Sequence, residues 1–440
     1  MCPEGPIRGE IVRRILLPKA HCPHCWHKFH TEDVLWISTH PDLYGDPILG
    51  ADAPSRFLPS RFSPAGEALD VRGSACRDQA CPRCHLSIPP VLLEHPYRIL
   101  SIVGTPGCGK SYYLTSCVWH LRQTLAKGFA LAISDADPVG NRAVTEQEQQ
   151  LFLQDDPRKL VYLEKTQLEG ARYDTVQFDA GKTTLLPQPL LFTIRPSKQH
   201  VNGHGAGPLT QVLCLYDNAG EHFLPGSESA LSPTTQHLGL SRNVIFLFDP
   251  TQDMRFRAAL RGGSADPQLL SSAHSFRQDT VLLEVASRIR RQSGMAADEK
   301  LSQALTVVVS KSDIWRGLIS DEDITSDPYV TEVRDDGSLL GRIDKDRVER
   351  VSARVEAILR ETVPEFVSAV EDIASRVLYV PVSATGGSPQ VESASGMMKF
   401  ESGHIKPWWV TVPLIYEFSR WGKIIGSKRA RDHGEKAAQD

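Results

Sequence analysis

The chain has 440 residues, 41% hydrophobic and 23% charged, with 49 Lys and Arg against 53 Asp and Glu for a net charge of −4. That composition fits an ordinary globular protein with chain enough for two or three domains and a sizeable core. It excludes a disordered polymer and a small disulfide scaffold, and no global basic excess points to nucleic acid or anionic lipid. No run approaches the roughly 20 apolar residues that span a bilayer. The start, interrupted by Arg8, Arg13, Arg14 and Lys19, lacks a secretory pattern. The expected location is the cytoplasm, where thiols stay reduced and clustered cysteines read as metal ligands.

Residues 1–94 are rich in Pro, Cys, His and Arg with little periodicity, which predicts a loop-rich module held by something other than a large core. Cys22-Pro-His-Cys25 and Cys81-Pro-Arg-Cys84 repeat one spacing. Two residues between thiols let a tight turn aim both sulfurs at one metal, and two such turns complete a tetrahedral site. Four soft ligands suit Zn²⁺ in a closed structural site. Cys22, Cys25, Cys81 and Cys84 are therefore the predicted zinc ligands, with Cys76, His21, His24 and His85 as spares. The pairing resembles a zinc ribbon carrying a long insertion.

From residue 95 the pattern changes. Tyr97 to Val103 reads as a strand, and Leu114, Cys117, Val118, Leu121 and Leu125 recur at helical steps up to a predicted stop at Gly128. Apolar runs at 130–134, 190–194, 211–216, 243–248, 305–309 and 377–382, with helical patterns at 276–291 and 345–360, predict an α/β domain with a mostly parallel sheet. The segment from Leu190 to Tyr216 reads as an antiparallel hairpin at the sheet edge. Residues 136–182 and 250–275 are long polar connections, read as insertions. Trp409 to Trp421 predicts a last amphipathic helix, and 425–440 a charged, disordered tail.

Gly104-Thr-Pro-Gly107-Cys-Gly109-Lys110-Ser111 fills every fixed position of a phosphate-binding loop, after a predicted strand and before a predicted helix. Glycines let backbone amides curl around phosphate oxygens, Lys110 neutralises the terminal phosphates and the Ser111 hydroxyl ligates Mg²⁺. Cys108 within the loop reads as filler. A later strand delivers Asp217, a carboxylate for Mg²⁺, and then Gly220, whose amide can meet a γ-phosphate. Ser310-Lys311-Ser312-Asp313 ends another strand. A carboxylate there accepts two hydrogen bonds from guanine that adenine cannot supply, while the Lys311 stem packs along the base. Ser383-Ala384-Thr385 follows a further strand and can offer a backbone amide to the guanine carbonyl.

This order of motifs resembles the translation-factor-related (TRAFAC) class of P-loop GTPases over about residues 95–424. The resemblance implies a Ras-like three-layer sandwich, GTP and Mg²⁺ as ligands, slow hydrolysis and two switch segments. It also implies a switch threonine, for which Thr183 and Thr184 are equal candidates. Two positions depart from the class. Ser310 stands where the base-reading motif begins with Asn or Thr, which removes an amide bridge to the phosphate loop. Glu221 and then His222 follow the glycine where relatives carry a water-orienting Gln or His, so these two are the candidate catalytic residues. A zinc module fused to a GTPase with a long insertion and a Trp-bearing last helix also resembles Double-GTPase proteins of bacterial conflict systems, which implies protein partners and a role in defence. The rival readings are an ATPase, and an adaptor in which the zinc ribbon docks protein or nucleic acid and nucleotide turnover is dispensable.

Overall fold

Two short hairpins organise the beginning of the chain. Lys19–His21 pairs with Lys28–His30 around the first cysteine pair, and Gln79–Ala80 pairs with Ser87–Ile88 around the second. The turns are twins: Trp26 N bonds Cys22 O and His85 N bonds Cys81 O, each at 3.1 Å, and both Trp26 and His85 take a positive φ. The segment between them adds Leu35–Ile37 and Arg56–Phe57 to the second hairpin, giving a four-stranded sheet. The computed structural model describes residues 15–164, 172–178, 182–218, 220–224, 235–260, 266–270, 277–319, 324–393, 396–421 and 424–428. The chain divides into two compact units, Met1–Pro96 and Tyr97–Asp440.

The second unit is mixed α/β, built on strands β1 (Tyr97–Gly104), β2 (Leu131–Asp135), β3 (Leu190–Pro196), β4 (Gln211–Asp217), β5 (Asn243–Phe248), β6 (Ala304–Val309) and β7 (Val377–Pro381). They form one seven-stranded sheet in the order β2-β3-β4-β1-β5-β6-β7. β1, β4, β5, β6 and β7 run parallel, and β5 and β6 are buried at every position. Burial at every position is what a parallel sheet covered on both faces requires, and the two polar residues in these strands, Asn243 and Thr306, bond each other at 2.9 Å. The covering helices α1 (Lys110–Phe129), α2 (Gln278–Ser293), α3 (Lys345–Thr362) and α4 (Pro364–Ile373) send Leu121, Val285, Val355 and Val367 into the same core.

Five expectations need correction. β3 and β4 are antiparallel, but they are not the edge, because β2 pairs outside β3. Asn141 holds that arrangement, its side chain exchanging two hydrogen bonds with the Leu191 backbone and donating to Asp135. α1 runs through Gly128 and stops at Ala130, which takes the left-handed conformation, because the fully buried Phe129 extends the helix one residue. The connection 136–182 contains a helix at Arg142–Phe152, a strand at Leu160–Val161 and a strand at Tyr173–Phe178 that pairs with Lys182–Pro187. The last helix is only Val412–Phe418, started by Pro413, whose missing N–H is harmless at that point. The tail is structured at its start, since Gly426–Lys428 pairs with Leu339–Asp344. Residues 429–440 lie outside the described residues. No helix among the described residues is long and apolar enough to cross a membrane.

Candidate functional site

β1 ends at Gly104 and α1 begins at Lys110. Between them Gly107 (φ +74) and Gly109 (φ +94) adopt left-handed conformations that aim successive amides into one concavity, to which the helix N-terminus adds positive potential. The Lys110 side chain folds back over the loop, its Nζ donating to Gly104 O and Thr105 O at 3.0 Å each. Burial pushes the Cys108 thiol up, which suits an inert filler and not a nucleophile. Gly220 lies against this loop so closely that an added Cβ would fall 2.5 Å from Pro106 N and 2.8 Å from Lys110 Nζ.

A cavity of about 330 Å³ runs from Gly107, Cys108 and Gly109 to Ser310, Lys311, Asp313 and Ala384. Tips of β1, β6 and β7 thus line one space, as expected at the carboxyl ends of parallel strands. Its outer wall is apolar: Tyr112, Tyr162, Leu163, Met398 and Phe400, with Tyr112 and Phe400 meeting edge-on at 5.4 Å. A short sheet joining Leu160–Val161 and Gln390–Val391 to Met398–Glu401 builds that wall. A second cavity, of about 260 Å³, shares Gly107 and Gly109 and is lined by Lys110, Ser111, Glu164, Gly220 and Glu221.

At the far end, burial pushes the Asp313 carboxyl above its usual range, against a hydrogen bond from the Ser383 hydroxyl at 2.5 Å. The Ser383 amide already donates to Trp408 O and its hydroxyl orients Asp313, so within Ser383-Ala384-Thr385 the amide expected for a base would come from Ala384. Ala384 remains at the cavity wall. Lys311, in a left-handed conformation, is held through Nζ by Asp249 Oδ2 at 2.7 Å and Thr251 Oγ1 at 2.8 Å.

Asp217 ends β4 with a side chain 1% exposed, and one oxygen pairs with Arg172 at 2.6 Å. The other oxygen, Oδ1, is buried with no hydrogen-bond partner among the described residues. An unsatisfied buried carboxylate oxygen is a donor suited to a divalent cation. Asp217 thus offers one oxygen to a cation and Ser111 lines the second cavity, but Asp217 itself lines neither cavity and Arg172 holds its other oxygen.

The switch threonines are placed elsewhere. Thr183 and Thr184 pair with Gln177 and Val176 in a regular ribbon, and neither lines the two cavities. They stand five and four residues along the ribbon from its Arg172–Gln188 root, roughly 13–17 Å at a strand's rise. A β-branched pair suits a strand. His222 is buried with its ring 5.4 Å from that of Tyr173, so of the two candidate catalytic residues only Glu221 lines a cavity.

No family model matches this chain, and no curated protein matches it. Among solved structures, one similar chain is sup35 complexed with GDP, 12% identical, with a TM-score of 0.21 over 68% of this chain and 41% of that one. The matched region is thus under half of that chain's length, and the likeness is too slight to bear on function.

In the first unit, Cys22, Cys25, Cys81 and Cys84 bring all four sulfurs within 4.8 Å of one another. Cys22 Sγ lies 3.6 Å from Cys84 Sγ, and Cys25 Sγ lies 3.7 Å from Cys81 Sγ. A tetrahedron of zinc–sulfur bonds of about 2.3 Å has an edge of about 3.8 Å, so the cluster could hold a zinc ion. Backbone amides of His24 and Arg83 point at Cys22 and Cys81 sulfurs, each at 3.3 Å, as thiolates require. Burial pushes the Cys22 and Cys84 thiols up, and a bound cation is what would offset that cost. Cys76 instead faces Asp70, and His85 pairs with Asp46 at 2.8 Å, so neither joins the cluster.

Several residues here carry no motif: Arg172, Gln252, Asp249, Tyr112 and Phe400. Asp249 and Gln252 were discoverable, because they follow the apolar run of β5, and strand tips are where such sheets place their chemistry. Arg172 sits in a polar stretch with no periodic signal.

Proposed function

We propose that this chain is a guanine-nucleotide-binding P-loop protein that hydrolyses GTP slowly with Mg²⁺. Residues 95–424 would be the catalytic domain and residues 1–94 a zinc-held module that docks a protein partner. What supports it is the single cavity with phosphate-cradling glycines at one end and Asp313 at the other.

In this reading the loop amides hold the phosphate chain and Lys110 exchanges its two carbonyl partners for phosphate oxygens. Asp313 accepts from the ring N–H and exocyclic amine of guanine, its orientation fixed by Ser383. Ser111 and Asp217 would hold Mg²⁺, which when bound neutralises charge on the phosphates. Glu221 lines the phosphate end and would accept a proton from, and so orient, an in-line water. Its charge repels phosphate, and Lys110 on the same cavity screens it.

The test compares GTP, GDP and ATP binding to the purified, metal-replete chain. Guanine nucleotides should bind about 100-fold more tightly, and Asp313→Asn should move the preference to xanthosine nucleotides by a similar factor, about 3 kcal/mol. Equal affinity for GTP and ATP would remove the guanine assignment.

A further inference from the structure

Ser310 is too short to reach the phosphate loop. Its hydroxyl turns back to Phe248 O at 3.1 Å, and its amide bonds the same carbonyl at 2.9 Å. A cavity that must hold a phosphate chain and a base at fixed separation still needs its two ends tied, because each end is a loop at the tip of a different strand. β5 lies between β1 and β6 in the sheet. Its tip is therefore the place from which one turn can touch both.

That turn, Asp249-Pro250-Thr251-Gln252, makes contact in both directions. Toward the phosphate loop, Gln252 Nε2 donates to Pro106 O at 3.0 Å and Gln252 Oε1 accepts from Thr105 Oγ1 at 2.7 Å. The assignment of nitrogen and oxygen is forced, since a proline carbonyl can only accept. Toward the base end, Asp249 Oδ2 and Thr251 Oγ1 both accept from Lys311 Nζ. The turn is itself braced: Asp249 Oδ1 accepts from Thr251 N and Oγ1, and Gln278 exchanges two 2.8 Å hydrogen bonds with the Asp249 backbone. Asp249 and Thr105 are 0% exposed and Gln252 is 8% exposed, so these bonds form away from water, where losing one partner is costly.

We propose that Gln252 is a positioning residue that fixes the phosphate loop at a set distance from the base-reading loop, through Asp249, Thr251 and Lys311. It performs from the tip of β5 the tethering that position 310 does not perform in this chain. The proposal rests on the guanine-nucleotide reading, and it adds a residue that acts on ligand only through the loop it holds.

A bridge has a signature that a mere brace lacks. A ligand spanning both loops needs their separation, whereas one confined to the phosphate loop does not. The experiment measures binding of GDP and of inorganic tripolyphosphate by the full chain, wild type and Gln252→Ala. GDP affinity should fall about 10- to 100-fold while tripolyphosphate affinity stays within about threefold. Gln252→Leu keeps most of the side chain's bulk, removes both of its hydrogen bonds and brings no charge near the phosphate loop. It guards against an alanine variant that fails to fold, and should show the same split. Equal losses for both ligands would make Gln252 only a brace of the phosphate loop and overturn the proposal, as would unchanged GDP affinity in a folded variant. A wild-type chain that binds tripolyphosphate but no guanine nucleotide would instead sink the underlying reading.

Discussion

The two units reach order by opposite routes. In the first, the buried apolar side chains among the described residues are few, chiefly Trp26, Phe29, Val34, Ile88, Leu92 and Leu93, and four buried sulfurs lie within 4.8 Å of one another. In the second, two strands are buried along their whole length and one core takes in every strand of the sheet and its covering helices. A segment below about 100 residues with so little apolar area needs a further source of stability, whereas a seven-stranded sheet does not. The contrast also divides the chemistry. Four sulfurs around one metal would leave no coordination position for a substrate, while parallel strand tips leave an open cavity.

The largest expected effect tests the first half of that contrast. Stripping the metal with a chelator, or Cys81→Ser, should expose residues 15–96 to protease, because metal binding contributes roughly 10–16 kcal/mol in small zinc peptides. Continued protection of a metal-free module would mean that its few apolar contacts suffice. Next, Ile245→Ala in β5 removes a fully buried side chain and should lower the stability of the second unit by about 2–4 kcal/mol, read by denaturant unfolding, with zinc content unchanged. A cost near zero would show that the sheet is less tightly packed than its burial indicates. The smallest effect concerns the carboxylate at the tip of β4. Arg172→Ala should free both oxygens of Asp217 and lower the Mg²⁺ concentration for half-maximal nucleotide binding about tenfold, near 1.4 kcal/mol. An unchanged Mg²⁺ requirement would mean that arginine and cation do not compete.

What could be read from sequence follows the range of the interaction that fixes each feature. The phosphate loop was legible because Gly107, Gly109 and Lys110 answer to one another within a single turn. The largely apolar runs of β5 and β6 and the two Cys-Pro-x-Cys turns were legible for the same reason. Sheet order was not, since nothing local in Leu131–Asp135 says that it pairs outside β3. That neighbour is fixed by the backbone ladder itself and by the distant Asn141, bonding the Leu191 backbone. Gly128 misled because glycine marks many helix ends, while the burial of Phe129 outweighs the roughly 1 kcal/mol needed to hold Ala130 left-handed. Thr183 and Thr184 answer to cross-strand pairing with residues 177 and 176, which no local pattern at these two positions announces. Arg172 meets Asp217 across 45 residues, a distance over which polar pattern carries no signal.

The bare backbone at Gly220 has a mechanical consequence. A peptide resting directly on the Pro106 amide, with no side chain between, is a lever with a very short arm: a small shift at the end of β4 must be passed to the loop at nearly full amplitude. A methyl group at that position would act as a shim, holding the two segments apart whatever occupies the cavity. Gly220→Ala should therefore fold with its sheet intact yet answer alike to diphosphate and triphosphate.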